Sequence, residues 1–239
     1  IHLADLTKTH VHCQNISTAG SVRLLKDALD RGIPVSGEAS PHYFSLTDAS
    51  IAGSTSFWEQ DGQDLLKFIS DSFETPDWPS YDTSFKMTPP LRAATDRTAI
   101  IKGIAEGVIG TICSDHAPHC NYEKDVEFDI APFGITGLET ELALSLGMLY
   151  HSGHMSLSKL IERFTVGPNK LLDIDKGNLA VGKVADATVF DPDIEWVFDR
   201  ETCLSRGKNT PFHNWPMKGK NVMTVVSGEV VWRDSDRAR

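Results

Sequence analysis

Between residues 10 and 39 the chain changes its hydrophobic period twice. Residues 10–16 read as a short strand, and Ser17 opens a polar turn. Residues 21–31 then place Val22, Leu25, Ala28 and Leu29 at helical spacing, and Gly32 closes the segment. Residues 34–39 return to strand character. Strand, helix and strand within about 30 residues is the span of a βαβ unit. Two parallel strands joined by a crossover helix demand a sheet with helices packed on it, so the chain is expected to form an open parallel sheet or a β/α barrel.

The alternation continues downstream. Residues 85–87 look like a strand end, followed by Thr88-Pro89-Pro90-Leu91-Arg92, where the prolines impose an extended turn. Residues 96–106 are helical, and 108–113 form an apolar strand that ends in Ser114-Asp115-His116-Ala117-Pro118-His119. Helices are expected at 138–151, 157–164 and 168–173. Residues 53–83 interrupt the rhythm with Gly, Ser, Asp and Pro, among which Phe57, Trp58, Phe68, Trp78 and Tyr81 are interleaved. Leu65, Leu66, Phe68 and Ile69 suggest one short helix there. The segment reads as an insertion running over the surface, either a lid or a decoration packed by its own aromatics. After Gly177 strands dominate: 187–190, then a hairpin of 222–226 and 229–232 turning at Ser227-Gly228. Residues 1–175 are thus expected to form the β/α part and 176–239 a small β-rich domain.

Charge narrows the function. With 33 Asp+Glu against 23 Lys+Arg the 239-residue chain carries a formal charge of −10. Such an acidic balance argues against a general nucleic-acid or anionic-membrane binder. No apolar run approaches the ~18 residues of a membrane helix. Cys13, Cys113, Cys120 and Cys203 form no CxxC pair, which fits reduced thiols of a cytoplasmic protein better than a zinc ribbon. Ile1 opens inside a helix-like stretch with neither an initiator Met nor a signal peptide, so the chain is expected to continue upstream.

Chemistry in β/α folds sits at the carboxyl ends of strands. Five polar residues stand at such ends here: Asn15, His42, Thr88, Asp115 and His119. Asp115 is either a turn residue or a carboxylate that ligates a divalent metal and accepts a proton from water. His42 is either a packed structural imidazole or a ligand. On neighbouring strand ends, the two would suit zinc without thiolates.

Several motifs together resemble a known family. Ser17-Thr18-Ala19-Gly20-Ser21-Val22, Pro41-His42, Pro89-Pro90-Leu91-Arg92, the run 114–119 and Ala131-Pro132-Phe133-Gly134-Ile135-Thr136-Gly137-Leu138-Glu139-Thr140 come in the order found in class I dihydroorotases of the amidohydrolase superfamily. The GxLxxGxxAD pattern from Gly177 to Asp186 continues the match but is shared with hydantoinases and allantoinases. The resemblance implies an α/β fold: roughly strands five to eight of a metal-dependent (β/α)8 TIM-type barrel, plus a small β-rich domain. It implies zinc, two ions in an intact member, and reversible hydrolysis of the cyclic amide of dihydroorotate to N-carbamoyl-aspartate in pyrimidine biosynthesis. By resemblance, Asp115 ligates one zinc and shuttles the proton, and His42 ligates the second zinc. His119, Thr88 and Gly134 fall where substrate is bound. An oligomer is implied for the full-length protein, with aspartate transcarbamoylase as a partner of some members.

Two positions depart from the pattern. Asn15 stands where the family has a metal-binding His, and an amide oxygen is a much poorer zinc ligand than imidazole. Thr88 replaces the family's substrate-binding Asn. The family's His-x-His pair, its bridging Lys or acidic residue and a substrate-binding Arg are not found at matching positions. A half barrel with open parallel edges is expected to be poorly stable and inactive alone. The alternatives are a catalytically silent scaffold for aspartate transcarbamoylase, favoured by Asn15 and Thr88, and a hydantoinase or allantoinase acting on another cyclic amide. Elsewhere, Glu139 is expected to fix the preceding loop at a helix start, where a carboxylate is favoured, and Asp186 to organise the β-rich part.

Overall fold

In the computed structural model, residues 1–63 and 74–234 are described. The first helix, α1 (His2–Thr7), leads into β1 (Val11–Cys13). Thr18 then caps α2 (Ala19–Asp30), its hydroxyl accepting the Ser21 N–H at 3.1 Å. Such a cap satisfies an amide that the first helical turn leaves free. Leu25 and Ala28 bury the inner face of α2, and the chain returns as β2 (Val35–Ala39), parallel to β1 with Val11 opposite Val35. The expected βαβ unit is present, with both strands slightly shorter than the pattern suggested.

The chain then runs through α3 (Pro41–Ser45), α4 (Ser54–Phe57) and α5 (Ala94–Glu106) to β3 (Thr111–Ile112), which pairs parallel to β2. The Asp96 carboxylate accepts the Ala19 N–H at 2.7 Å and joins the start of α2 to α5. The parallel order is β1-β2-β3. A single parallel bridge, His116 to Ile135, is all that stands beyond it among the described residues. After the short α6 (Asn121–Lys124) comes α7 (Glu141–Ser145), which continues as π-helical turns over Leu146–His151. Next follow α8 (Leu157–Phe164) and α9 (Val166–Leu172). A separate antiparallel sheet, β4-β5-β6, is formed by β4 (Ala187–Val197), β5 (Pro216–Val226) and β6 (Glu229–Arg233). A parallel sheet clothed by helices beside a small antiparallel sheet is the architecture of a partial β/α barrel with a β-rich appendage.

Three local expectations need correction. Residues 85–87 are not strand: Thr83–Phe85 form a 3-10 turn, because the Asp82 side chain accepts the Ser84 N–H at 2.8 Å and bends the chain. Glu139 does not cap a helix. Its carboxylate accepts the N–H groups of Leu204 at 3.0 Å and Ser205 at 3.1 Å, fastening a distant loop. The described parts of 53–83 run along the surface, with Glu59, Gln63, Ser80 and Tyr81 exposed, but they are not packed by their own aromatics alone. Phe57 and Trp78 are buried, and Trp58, Trp78 and Trp215 lie with ring centroids 5.6 to 6.3 Å apart. The insertion packs on Trp215, which Phe212 in turn meets edge-on, and not merely on its own aromatics. The short helix expected around Leu65 to Ile69 lies outside the described residues. Asp186 does organise the small sheet, accepting from Ser227 N–H at 2.9 Å and Lys176 Nζ at 2.8 Å.

Candidate functional site

The carboxyl ends of β1, β2 and β3 face one another, and each delivers one polar side chain. Asn15 follows β1 and Asp115 follows β3, both in left-handed backbone conformations, with φ of 50° and 47°. Asn and Asp tolerate this region better than other side-chain-bearing residues. His42 enters in the first turn of α3, just past β2, and is 2 % exposed.

The imidazole Nε2 of His42 lies 3.8 Å from Asp115 Oδ2. That is too long for a hydrogen bond, and this buried nitrogen has no hydrogen-bond partner. Burial pushes the His42 pKa down to about 3, which keeps the ring neutral, the form that binds metal. Burial also raises the Asp115 carboxyl, and the negative charge of Glu38 adds to the rise, while a hydrogen bond with Asn15 opposes it. A neutral imidazole and a carboxylate brought this close are donors of the kind that suit zinc.

Asn15 is engaged differently. Its Oδ1 accepts the Ser40 hydroxyl at 2.8 Å, and Cys113 Sγ lies 3.6 Å away. Ser40 Oγ is also 3.2 Å from that thiol, whose pKa burial pushes up to about 12. His12 cannot take the place of Asn15: its Nδ1 is 2.7 Å from Ser36 Oγ and its Nε2 is 3.2 Å from Glu38. Among the described residues no three His, Cys, Asp or Glu side chains converge as a complete metal site. The donors on this chain therefore fit part of a coordination shell.

His119 and Gly134 meet across two loops. His119 Nε2 lies 2.9 Å from the Phe133 carbonyl, and the Ala117 N–H donates to Ile135 O at 2.7 Å. Gly134 has φ of 110°, and a Cβ there would fall 2.5 Å from the Ala117 side chain, so the two loops approach as closely as they do because the residue is glycine. Thr88 is exposed and precedes a cis peptide bond to Pro89, whose carbonyl accepts the Tyr43 hydroxyl at 2.8 Å. Two residues that the sequence did not single out stand behind these loops, Lys124 and Asn209, both buried. A cavity of about 250 Å³ also touches Lys124 and Asn209; it does not include His42 or Asp115. The hydrogen-bond partners of the Asn209 side chain lie 75 to 92 residues away in sequence, so no local pattern could reveal it.

Known proteins match nearly the whole chain. A dihydroorotase from Geobacter sp. (strain M21) is 42% identical over 233 residues, covering 98% of this chain and 48% of that protein. The chain thus spans about half the length of the curated relatives it matches. Among solved structures, the L-hydantoinase (dihydropyrimidinase) from Arthrobacter aurescens is 28% identical with a TM-score of 0.75, over 93% of this chain and 44% of that one. The dihydropyrimidinase from Brevibacillus agri NCHU1002, 22% identical, superposes with a TM-score of 0.78 over 97% of this chain and 46% of that one, and so shares the fold. The model of the amidohydrolase family matches residues 4–231, and with parallel strand ends that gather an imidazole and a carboxylate, the chain belongs to the amidohydrolase family.

Proposed function

We propose that this chain supplies one half of a dihydroorotase active site, in a cytoplasmic enzyme of pyrimidine biosynthesis. The observation that carries the reading is the buried, partnerless His42 nitrogen facing Asp115 at 3.8 Å, in a chain about 40% identical to curated dihydroorotases. Four free cysteines fit a reducing compartment.

In this reading Asp115 holds one zinc and His42 a second, and the remaining ligands come from residues beyond those described. Zinc, when bound, lowers the pKa of an attacking water and polarises the ring carbonyl. Asp115 takes the proton released by that water and returns it to the ring nitrogen as the amide bond breaks. Burial of its carboxyl favours the proton-accepting role, since a raised pKa strengthens the base. In the reverse direction the same oxygen removes the proton from the carbamoyl nitrogen. His119, Thr88 and the Gly134 backbone position the substrate. N-carbamoyl-aspartate is the product of hydrolysis.

Asn15 supports a second reading, a silent dihydroorotase-like scaffold for aspartate transcarbamoylase, because its amide oxygen is already taken by Ser40. Zinc-supplemented hydrolysis of dihydroorotate by the natural polypeptide carrying this chain, beside its Asn15→His variant, separates the two. Activity of the parent supports the enzyme. A silent parent rescued by Asn15→His identifies a decayed site and the scaffold. Silence of both folded proteins overturns the dihydroorotase assignment and directs the assay to other cyclic amides.

A further inference from the structure

We infer that Asn209 is a positioning residue that holds the two substrate-side loops in register, an inference that rests on the dihydroorotase reading for its catalytic consequence. The side chain is 6% exposed and uses its full amide. Its Oδ1 accepts the His119 N–H at 2.9 Å. Its Nδ2 donates to Ala117 O at 2.9 Å and to Gly134 O at 3.2 Å. Its own backbone carbonyl accepts the Thr136 N–H at 2.9 Å. One residue therefore bonds to the loop that leaves Asp115 and to the loop that carries Gly134.

The chemistry selects an amide. The His119 N–H needs an acceptor, while the Ala117 and Gly134 carbonyls need donors; Asn presents both on one planar group, and Asp or Leu cannot. Lys124 reinforces one side of the clamp, its Nζ donating to Pro132 O at 2.9 Å and to Gly134 O at 3.1 Å. Asn209 touches neither His42 nor Asp115 through any of these bonds. Its loss should misplace His119 and the Gly134 backbone while leaving the metal donors in place.

The decisive variants are Asn209→Asp, which keeps the acceptor and the shape but removes both donors, and Asn209→Ala, made in the natural polypeptide. With an active parent, Asn209→Asp is expected to raise KM for dihydroorotate about tenfold or more, with kcat within about threefold and zinc content unchanged. An unchanged KM, or a fall in kcat that tracks a loss of zinc, overturns the proposal. With an inactive parent, the dihydroorotase reading fails, and hydrogen exchange decides on the clamp alone. The His119 amide is then expected to exchange at least tenfold faster in Asn209→Ala, with the amides of α2 unchanged; equal rates at His119 overturn the proposal. If both variants unfold where the parent is folded, Asn209 acts in stability and the positioning role is refuted.

Discussion

Glu141 in the first turn of α7 offers a quantitative test of how this fold treats a buried carboxyl. Burial raises its pKa from 4.5 to about 7, so the folded chain binds this proton more tightly than the unfolded one. The contribution to stability is therefore present in full below the unfolded pKa and is lost as pH rises toward and through the folded pKa. The linkage relation with these two pKa values gives a penalty of roughly 1 kcal/mol at pH 5.5 and roughly 3 kcal/mol at pH 8.5. Glu141→Gln keeps the shape and imitates the protonated form. Its stability gain over the parent should widen by about 2 kcal/mol between those two pH values. Urea unfolding of parent and variant at both, followed by far-ultraviolet circular dichroism, measures the gap. A gap that stays constant or narrows with rising pH would refute the reasoning, because it would mean that Glu141 ionises as freely in the folded chain as in the unfolded one.

Other outcomes follow from packing and ligation. Trp215→Ala removes a 2% exposed indole from the aromatic cluster and should cost about 3–5 kcal/mol in denaturant unfolding. Trp215→Phe should cost much less, since the buried indole N–H has no partner to lose. Gly137→Ala would bring a Cβ to 2.1 Å from the Ser114 carbonyl oxygen. The 114–119 loop must then shift, so stability should fall by about 1–3 kcal/mol, with a loss of turnover that exceeds what the fraction unfolded explains. His42→Ala should lower the zinc retained after dialysis; equal zinc in variant and parent would remove His42 from the metal site.

Legibility in the sequence followed the range of the forces involved. The first βαβ unit could be read because its cues are local: the apolar spacing of Val22, Leu25 and Ala28, and a Gly32 that closes the helical segment. The strand ends that bear His42 and Asp115 could be read for the same reason, as apolar runs that stop at a polar residue. The aromatic insertion could not. Trp58 and Trp78 find Trp215 from more than 130 positions away, and composition alone makes such a segment look superficial. Glu139 was misassigned because a carboxylate near a helix start has an obvious local use, whereas its partners, Leu204 and Ser205, are remote in the chain. The alternation of residues 187–190 identified the strand, but pairing with β5 extends it to Val197 through a register irregularity that no periodicity encodes.

The meeting of Trp58, Trp78 and Trp215 also gives the molecule an optical signature. Indoles whose centres are 5.6 to 6.3 Å apart share excitation, so they emit as a coupled set and split their ultraviolet transitions. Two of them belong to the segment between α3 and α5, and the third precedes the long antiparallel hairpin. A single spectroscopic signal therefore reports whether distant stretches of the polypeptide have docked. Loss of the coupled band while the helical signal persists would mark an intermediate in which the parallel strands have formed and the insertion has not yet found its seat.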